Sequence, residues 1–108
     1  MSQILAIVQR LLKRGEYLVS RHGYRELAAD DILLDEVLAG VELAVVVEDY
    51  PDSRKEPSTL VLQYDRNGLP IHVMWGVPKD VGTPAVLVTA YRPLPERWSP
   101  DFKKRKKS

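Results

Sequence analysis

The sequence predicts an α+β domain in which N-terminal helices pack on one face of a four-stranded antiparallel sheet. Three observations carry this expectation. Up to Gly40, apolar residues recur at three- and four-residue steps, which is the period of a helix face. After Gly40 the apolar runs become β-branched and alternating, which is the period of a strand. Four such runs follow one another with short links, one of them Asn67-Gly68, a strong hairpin signal, so neighbouring strands should be antiparallel.

The elements follow in order. Ile4, Leu5, Ile7, Val8, Leu11 and Leu12 make the inner face of a first helix, and Gly15 is its stop. "EYLVSRHGYRELA" reads as a second short helix. In "DDILLDEVLAG", Asp30 or Asp31 caps the start of a clearer helix. Leu33, Leu34, Val37 and Leu38 face inward there, and Gly40 ends it. "VELAVVVEDY" is the first strand, ended by Pro51, and "SRKEP" is loop. "STLVLQYD" places Leu60, Leu62 and Tyr64 on one side. "LPIHVMWGV" and "AVLVTAYRP" are the last two strands, joined by "PKDVGTP". In the third strand His72 and Met74 share a face opposite Ile71, Val73 and Trp75. In the fourth, Leu87, Thr89 and Tyr91 alternate with Val86, Val88 and Ala90. "LPERWSPDFKKRKKS" is expected to trail off as a mostly irregular end.

The chain has 108 residues, which fits one domain over residues 1–102 and a disordered basic tail over 103–108. Hydrophobic residues make up 44%, enough for a packed core. There is no cysteine, so disulfides and thiolate metal sites are excluded, and a cytoplasmic location is expected. No apolar run approaches the roughly 20 residues of a membrane span, and the start lacks the layout of a signal peptide. Charge is unevenly spread. Residues 1–25 are basic, residues 26–56 hold ten acids and two bases, and Lys103-Lys104-Arg105-Lys106-Lys107 is wholly basic. A polyanion would therefore meet the N-terminal segment and the tail rather than the acidic middle. The plainer reading of the tail is a solvated end that aids solubility.

Several stretches together resemble domain-of-unknown-function family 4258: "SRHGYREL", "DILLDEVLAG", "VVEDYP", "LVLQYDRNGLPIHVMWGV", "AVLVTAYRPLPERW" and the basic end. The resemblance runs from about Tyr17 to Arg105. That family is usually grouped with the RelE-type toxin fold, which also includes barnase-like and colicin-like ribonucleases. The resemblance implies helices packed on a four-stranded antiparallel sheet, RNA as substrate, and a cognate antitoxin protein as partner. Some relatives carry an arginine four residues after the first histidine. Glu26 stands at that position here, with Arg25 beside it.

Metal-independent RNA cleavage needs a base for the 2′-hydroxyl proton, an acid for the leaving oxygen, and cations for the phosphorane charge. Histidine suits both proton roles, and the chain has two, His22 and His72. In one of the two possible registers of the last strands, His72, Thr89 and Tyr91 lie on the same side, Arg92 stands at the strand end, and His22 approaches from a helix. The candidate catalytic residues are therefore His22, His72, Thr89 and Tyr91. Arg21, Arg25, Arg92, Lys103, Lys104 and Arg105 are the candidate RNA contacts. No metal-ligand spacing is visible, so no metal or other cofactor is expected.

The plainer readings stand beside these. A lone strand histidine is more often a hydrogen-bonded structural residue than a catalyst. His22 near a helix end serves equally to bond a carbonyl, and Trp75 and Trp98 read as core. Two functions remain open: a toxin-like endoribonuclease of a toxin–antitoxin pair, or a catalytically silent relative that binds a protein partner.

Overall fold

The computed structural model describes residues 2–53 and 56–106. Met1, Arg54 and Lys55 of the expected loop, and Lys107 and Ser108 of the expected tail, lie outside the described residues. The elements run α1 (Gln3–Lys13), β1 (Tyr17–Val19), α2 (Arg21–Ala29), α3 (Leu34–Gly40), a 3-10 turn (Val41–Leu43), β2 (Val45–Tyr50), β3 (Ser58–Tyr64), β4 (Pro70–Gly76) and β5 (Ala85–Tyr91). The class is α+β, as expected. The expectation of four antiparallel strands is corrected to a five-stranded mixed sheet of order β1-β5-β4-β3-β2. Strands β2 to β5 form the antiparallel meander, and β1 adds to the edge parallel to β5.

The extra strand comes from the stretch expected as one helix, which divides at Ser20. Gly15, at φ 73°, and Glu16 close α1 by donating to the carbonyls of Leu12 and Leu11, the usual glycine-centred helix stop. The chain then leaves extended, and Tyr17 and Val19 pack on the core. Ser20 fixes the join. Its N–H donates to Leu87 O at 3.0 Å, and its hydroxyl donates to Val88 O at 3.0 Å. That hydroxyl also accepts from the N–H of Gly23 at 2.9 Å, capping α2. The Val88 carbonyl is 68 residues away along the chain, beyond the reach of any local pattern.

A second correction concerns the acids at 30 and 31. Neither caps α3, whose first turn follows Leu33, an exposed residue without a side-chain cap bond. They end α2 instead. Asp31 adopts φ 57°, and the N–H groups of Asp31 and Ile32 donate to the carbonyls of Ala28 and Leu27. Ile32 and Leu27 are both buried, so the turn closes with the hydrophobic contact that accompanies such stops.

The helices cover one sheet face. Ile4, Leu5, Val8, Leu11, Leu27 and Val37 cluster with Val61, Ile71, Val73, Trp75, Leu87 and Ala90. The packing of α2 on β5 depends on Gly23, where an added Cβ would lie 2.7 Å from Leu87 O. One buried polar side chain ties α3 to the sheet. Gln63 donates to Val37 O at 2.8 Å and accepts from the Trp75 indole N–H at 3.2 Å.

Residues opposite one another in register share a face. Leu62 pairs with His72 and His72 with Tyr91; Leu60 pairs with Met74 and Met74 with Thr89. These six therefore occupy the face away from the helices. The register that brings His72, Thr89 and Tyr91 to one side is the one adopted. A bulge at Val88, between the Met74–Thr89 and Trp75–Leu87 pairs, keeps Leu87 directed at the helices.

Part of this second face is covered by the end of the chain. The Lys106 N–H donates to Arg97 O at 2.9 Å, Ser99 N–H to Lys104 O at 2.8 Å, and Trp98 bridges Arg105. Residues 97–106 are thus a short antiparallel ribbon laid on the sheet. The end is mostly irregular, as expected, with the one bridge closing the ribbon, and the Lys106 N–H ties the basic run back to Arg97. Trp98 is 5% exposed. That burial is what holds the ribbon down.

Candidate functional site

The ribbon seats on His72, which is fully buried. Its Nε2 lies 2.8 Å from Phe102 O and its Nδ1 3.2 Å from Tyr91 Oη. A carbonyl only accepts, so the proton is assigned to Nε2, and Nδ1 then accepts from the Tyr91 hydroxyl. The ring is held edge-on between Trp98, at 4.3 Å between centroids, and Tyr91, at 5.3 Å. Burial pushes the His72 pKa below its usual value, against the pull of the Phe102 carbonyl and with the Arg105 charge adding to the fall. Burial likewise raises Tyr91, with the Arg105 charge opposing it. Both directions keep the pair neutral. Phe102 takes φ 61° to present its carbonyl, so the ribbon's turn is shaped around the imidazole.

Tyr91 also lines a cleft of about 680 Å³ with Asp30, Arg92, Leu94, Glu96, Arg97, Trp98, Arg105 and Lys106. Arg92 is braced from both sides. Its backbone N–H donates to Asp30 at 2.7 Å, and its Nη1 lies 2.8 Å from Asp65. That approach is off the N–H axis, since Nη1 has no aligned acceptor, so it is an ion pair more than a linear hydrogen bond. Asp65, in turn, accepts from the N–H groups of Asn67 and Leu69. The Leu69 N–H bond first, then Arg92 and Asn67, hold its carboxyl below the usual range against its burial. Arg105 lies 4.9 Å above the Trp98 ring and 3.5 Å from Glu48.

The expected catalytic residues do not all meet. His72 and Tyr91 touch. Thr89 shares their sheet face but sits opposite Met74, two pairs further along. His22 is in the first turn of α2, is 63% exposed and pairs with Glu26 at 3.7 Å. Only the far end of α2, at Asp30, reaches the cleft. Eight residues at 1.5 Å each place His22 about 12 Å back along the axis. The expected RNA contacts divide in the same way. Arg92 and Arg105 wall the cleft, and Lys103 and Lys104 line a smaller hollow on the other side of Trp98, with Val47, Glu48 and Arg105. Arg21 and Arg25 are exposed on α2. Sequence reasoning passed over Arg97 and the Phe102 carbonyl, and included Lys106 only as part of the basic tail. Arg97 was visible only as a charge near the end, and nothing in the sequence marks a backbone carbonyl.

Among the described residues no three of His, Asp or Glu converge as metal ligands. No described helix is long and apolar enough to cross a membrane. The model of the family described as Domain of unknown function (DUF4258) matches residues 19–92, and the chain belongs to that family. The match ends at Arg92, so the ribbon lies outside it. Comparison with the curated proteins and with the solved structures finds no match.

Proposed function

We propose that the chain is a toxin-like, metal-independent endoribonuclease domain of RelE-type fold, held in check by a partner antitoxin, with its site in the cleft at Tyr91. The observation that carries this reading is the hydrogen-bonded series from the Phe102 carbonyl through His72 to the Tyr91 hydroxyl, which ends beside Arg92, Arg97, Arg105 and Lys106. A proton-carrying group, a second group that orients it, and nearby cations are what this chemistry requires. Cleavage forms the P–O2′ bond, breaks the P–O5′ bond and moves the 2′-hydroxyl proton to the 5′-oxygen. In this reading Tyr91 carries that proton, while His72 acts behind it and does not touch RNA. His22 and Thr89 take no part.

A second reading has its own support. With His72 closed off and both burial effects keeping the pair neutral, the series also fits a catalytically silent module that binds a protein partner. The uncovered part of the same sheet face offers a hollow lined by Tyr50, Pro51, Ser58, Met74 and Val88. One experiment separates the readings. The purified chain, freed of any partner, is incubated with single-stranded RNA in the presence of a chelator. The first reading expects cleavage that falls about 100-fold in Tyr91→Phe and in His72→Ala, with both variants folded by circular dichroism. A parent without activity, or variants as active as the parent, leaves the silent module.

A further inference from the structure

We propose that the C-terminal ribbon is a binding site for the phosphodiester backbone of single-stranded RNA, with Arg97 and Lys106 as its central contacts. The proposal rests on the RNA reading above but concerns binding, which can be measured apart from cleavage. The bond from Lys106 N–H to Arg97 O makes these two residues cross-strand neighbours. Side chains so placed have Cβ atoms about 5 Å apart, and like charges there repel.

Among the described residues, no carboxylate lies within ion-pairing distance of Arg97, Lys103, Lys104 or Lys106. The acids close by are already engaged. Asp101 accepts from Ser99 and from the Lys103 N–H inside the turn, Asp30 accepts from the Arg92 N–H, and Glu48 faces Arg105 and Tyr50. Glu96 remains on the cleft wall beside Arg97. Asp101 and Asp30 keep their charge while bonded to these neutral donors, so the four ribbon cations stand against three carboxylates, Glu96, Asp30 and Asp101, and the ridge is left net positive on a body whose middle is acidic.

The form of the ridge selects the ligand. Arg97 and Lys106 face the larger cleft, Lys103 and Lys104 the smaller hollow, and Arg105 borders both. Charge distributed along a ridge fits a run of phosphates better than one isolated anion. The ribbon's tryptophan is turned down onto His72, so the ridge would hold its ligand by charge rather than by base stacking, and phosphates spaced along one strand match that distribution. Because the family match stops at Arg92, this site is an addition at the domain's end.

The test uses the full chain and a single-stranded oligodeoxyuridine, which has the phosphates but no 2′-hydroxyl and so cannot be cleaved. Affinity is followed by fluorescence anisotropy at several salt concentrations. Each phosphate contact on a single strand contributes about −0.7 to the slope of log K against log salt. The Arg97→Ala/Lys106→Ala double variant should lose about 1.4 from the slope's magnitude and bind about tenfold more weakly at low salt. Lys13→Ala, on α1, should match the parent. If the double variant loses structure, Arg97→Gln/Lys106→Gln keeps the side-chain bulk and removes only charge. A parent that does not bind overturns the proposal, as does a double variant with the parent's slope. So does a poly-glutamate peptide that binds as tightly as the oligonucleotide. Binding with this slope but no RNA cleavage keeps the ribbon site and removes the endoribonuclease. Cleavage unchanged in a double variant with the parent's salt slope does the reverse.

Discussion

Acid should destabilise this protein through His72, in a window where its depressed carboxyls do not titrate. The imidazole is fully buried, and burial, reinforced by the Arg105 charge, holds its pKa below the usual value. In the unfolded chain the same ring titrates near about 6.5. Just below that pH the unfolded state therefore binds a proton that the folded state does not. Stability rises with pH wherever the unfolded state binds more protons, so it must fall as pH drops from about 6.5 toward the folded pKa. One proton corresponds to at most about 1.4 kcal/mol per pH unit. That is large beside the 5–15 kcal/mol of a typical small domain, about 10 kcal/mol at mid-range. Asp65 and Asp101 have lowered pKa values. Their contributions vanish only further down, below about pH 4.

The measurement is urea unfolding at steps between about pH 7 and pH 5, for the parent and for His72→Gln. Glutamine keeps an N–H for the Phe102 carbonyl and has no proton to gain. His22 is present in both proteins and cancels in the comparison. The parent should lose stability more steeply, by up to one proton's slope. Parallel slopes for the two proteins would refute the burial argument.

Three further outcomes follow from particular contacts. Gly23→Ala should destabilise by about 1–2 kcal/mol, read as a lower midpoint in thermal melting. The new Cβ meets Leu87 O at 2.7 Å, and that clash exceeds the roughly 1 kcal/mol gained in helix propensity; a more stable variant would place α2 elsewhere. Gln63→Leu should cost about 2–4 kcal/mol in urea unfolding, because the Val37 carbonyl and Trp75 N–H lose their partner inside the core. A neutral result would show that water replaces the amide. Trp98→Ala should free the ribbon, so that trypsin cuts at Lys103–Lys106 about tenfold faster or more while the sheet core stays intact; cleavage at the parent's rate would mean that the ribbon's own hydrogen bonds suffice.

Local spacing along the chain sets the parts of this protein that rest on sequence neighbours. The spacing of Ile4, Leu5, Val8 and Leu11 determined α1, Gly15 its end, and Asn67-Gly68 the β3–β4 hairpin. Alternation put His72 on the face away from Ile71 and Val73. Each follows from a period or a turn requirement that a few consecutive residues satisfy. Long-range packing sets what rests on distant partners. β1 exists because Tyr17 to Val19 pair with Ala85 to Leu87, and its three residues are too few to declare a strand alone. The register of β4 on β5 was one of two until the packed faces chose it. The two histidines, equivalent as residue types, were separated because His22 is in the first turn of a helix on the other side of β5, while the ribbon closed over His72. Burial then turned that imidazole into a neutral, fully bonded group. Arg97 and Lys106 became neighbours because the basic end turned back on Trp98, whose burial against His72 holds the ribbon to the sheet.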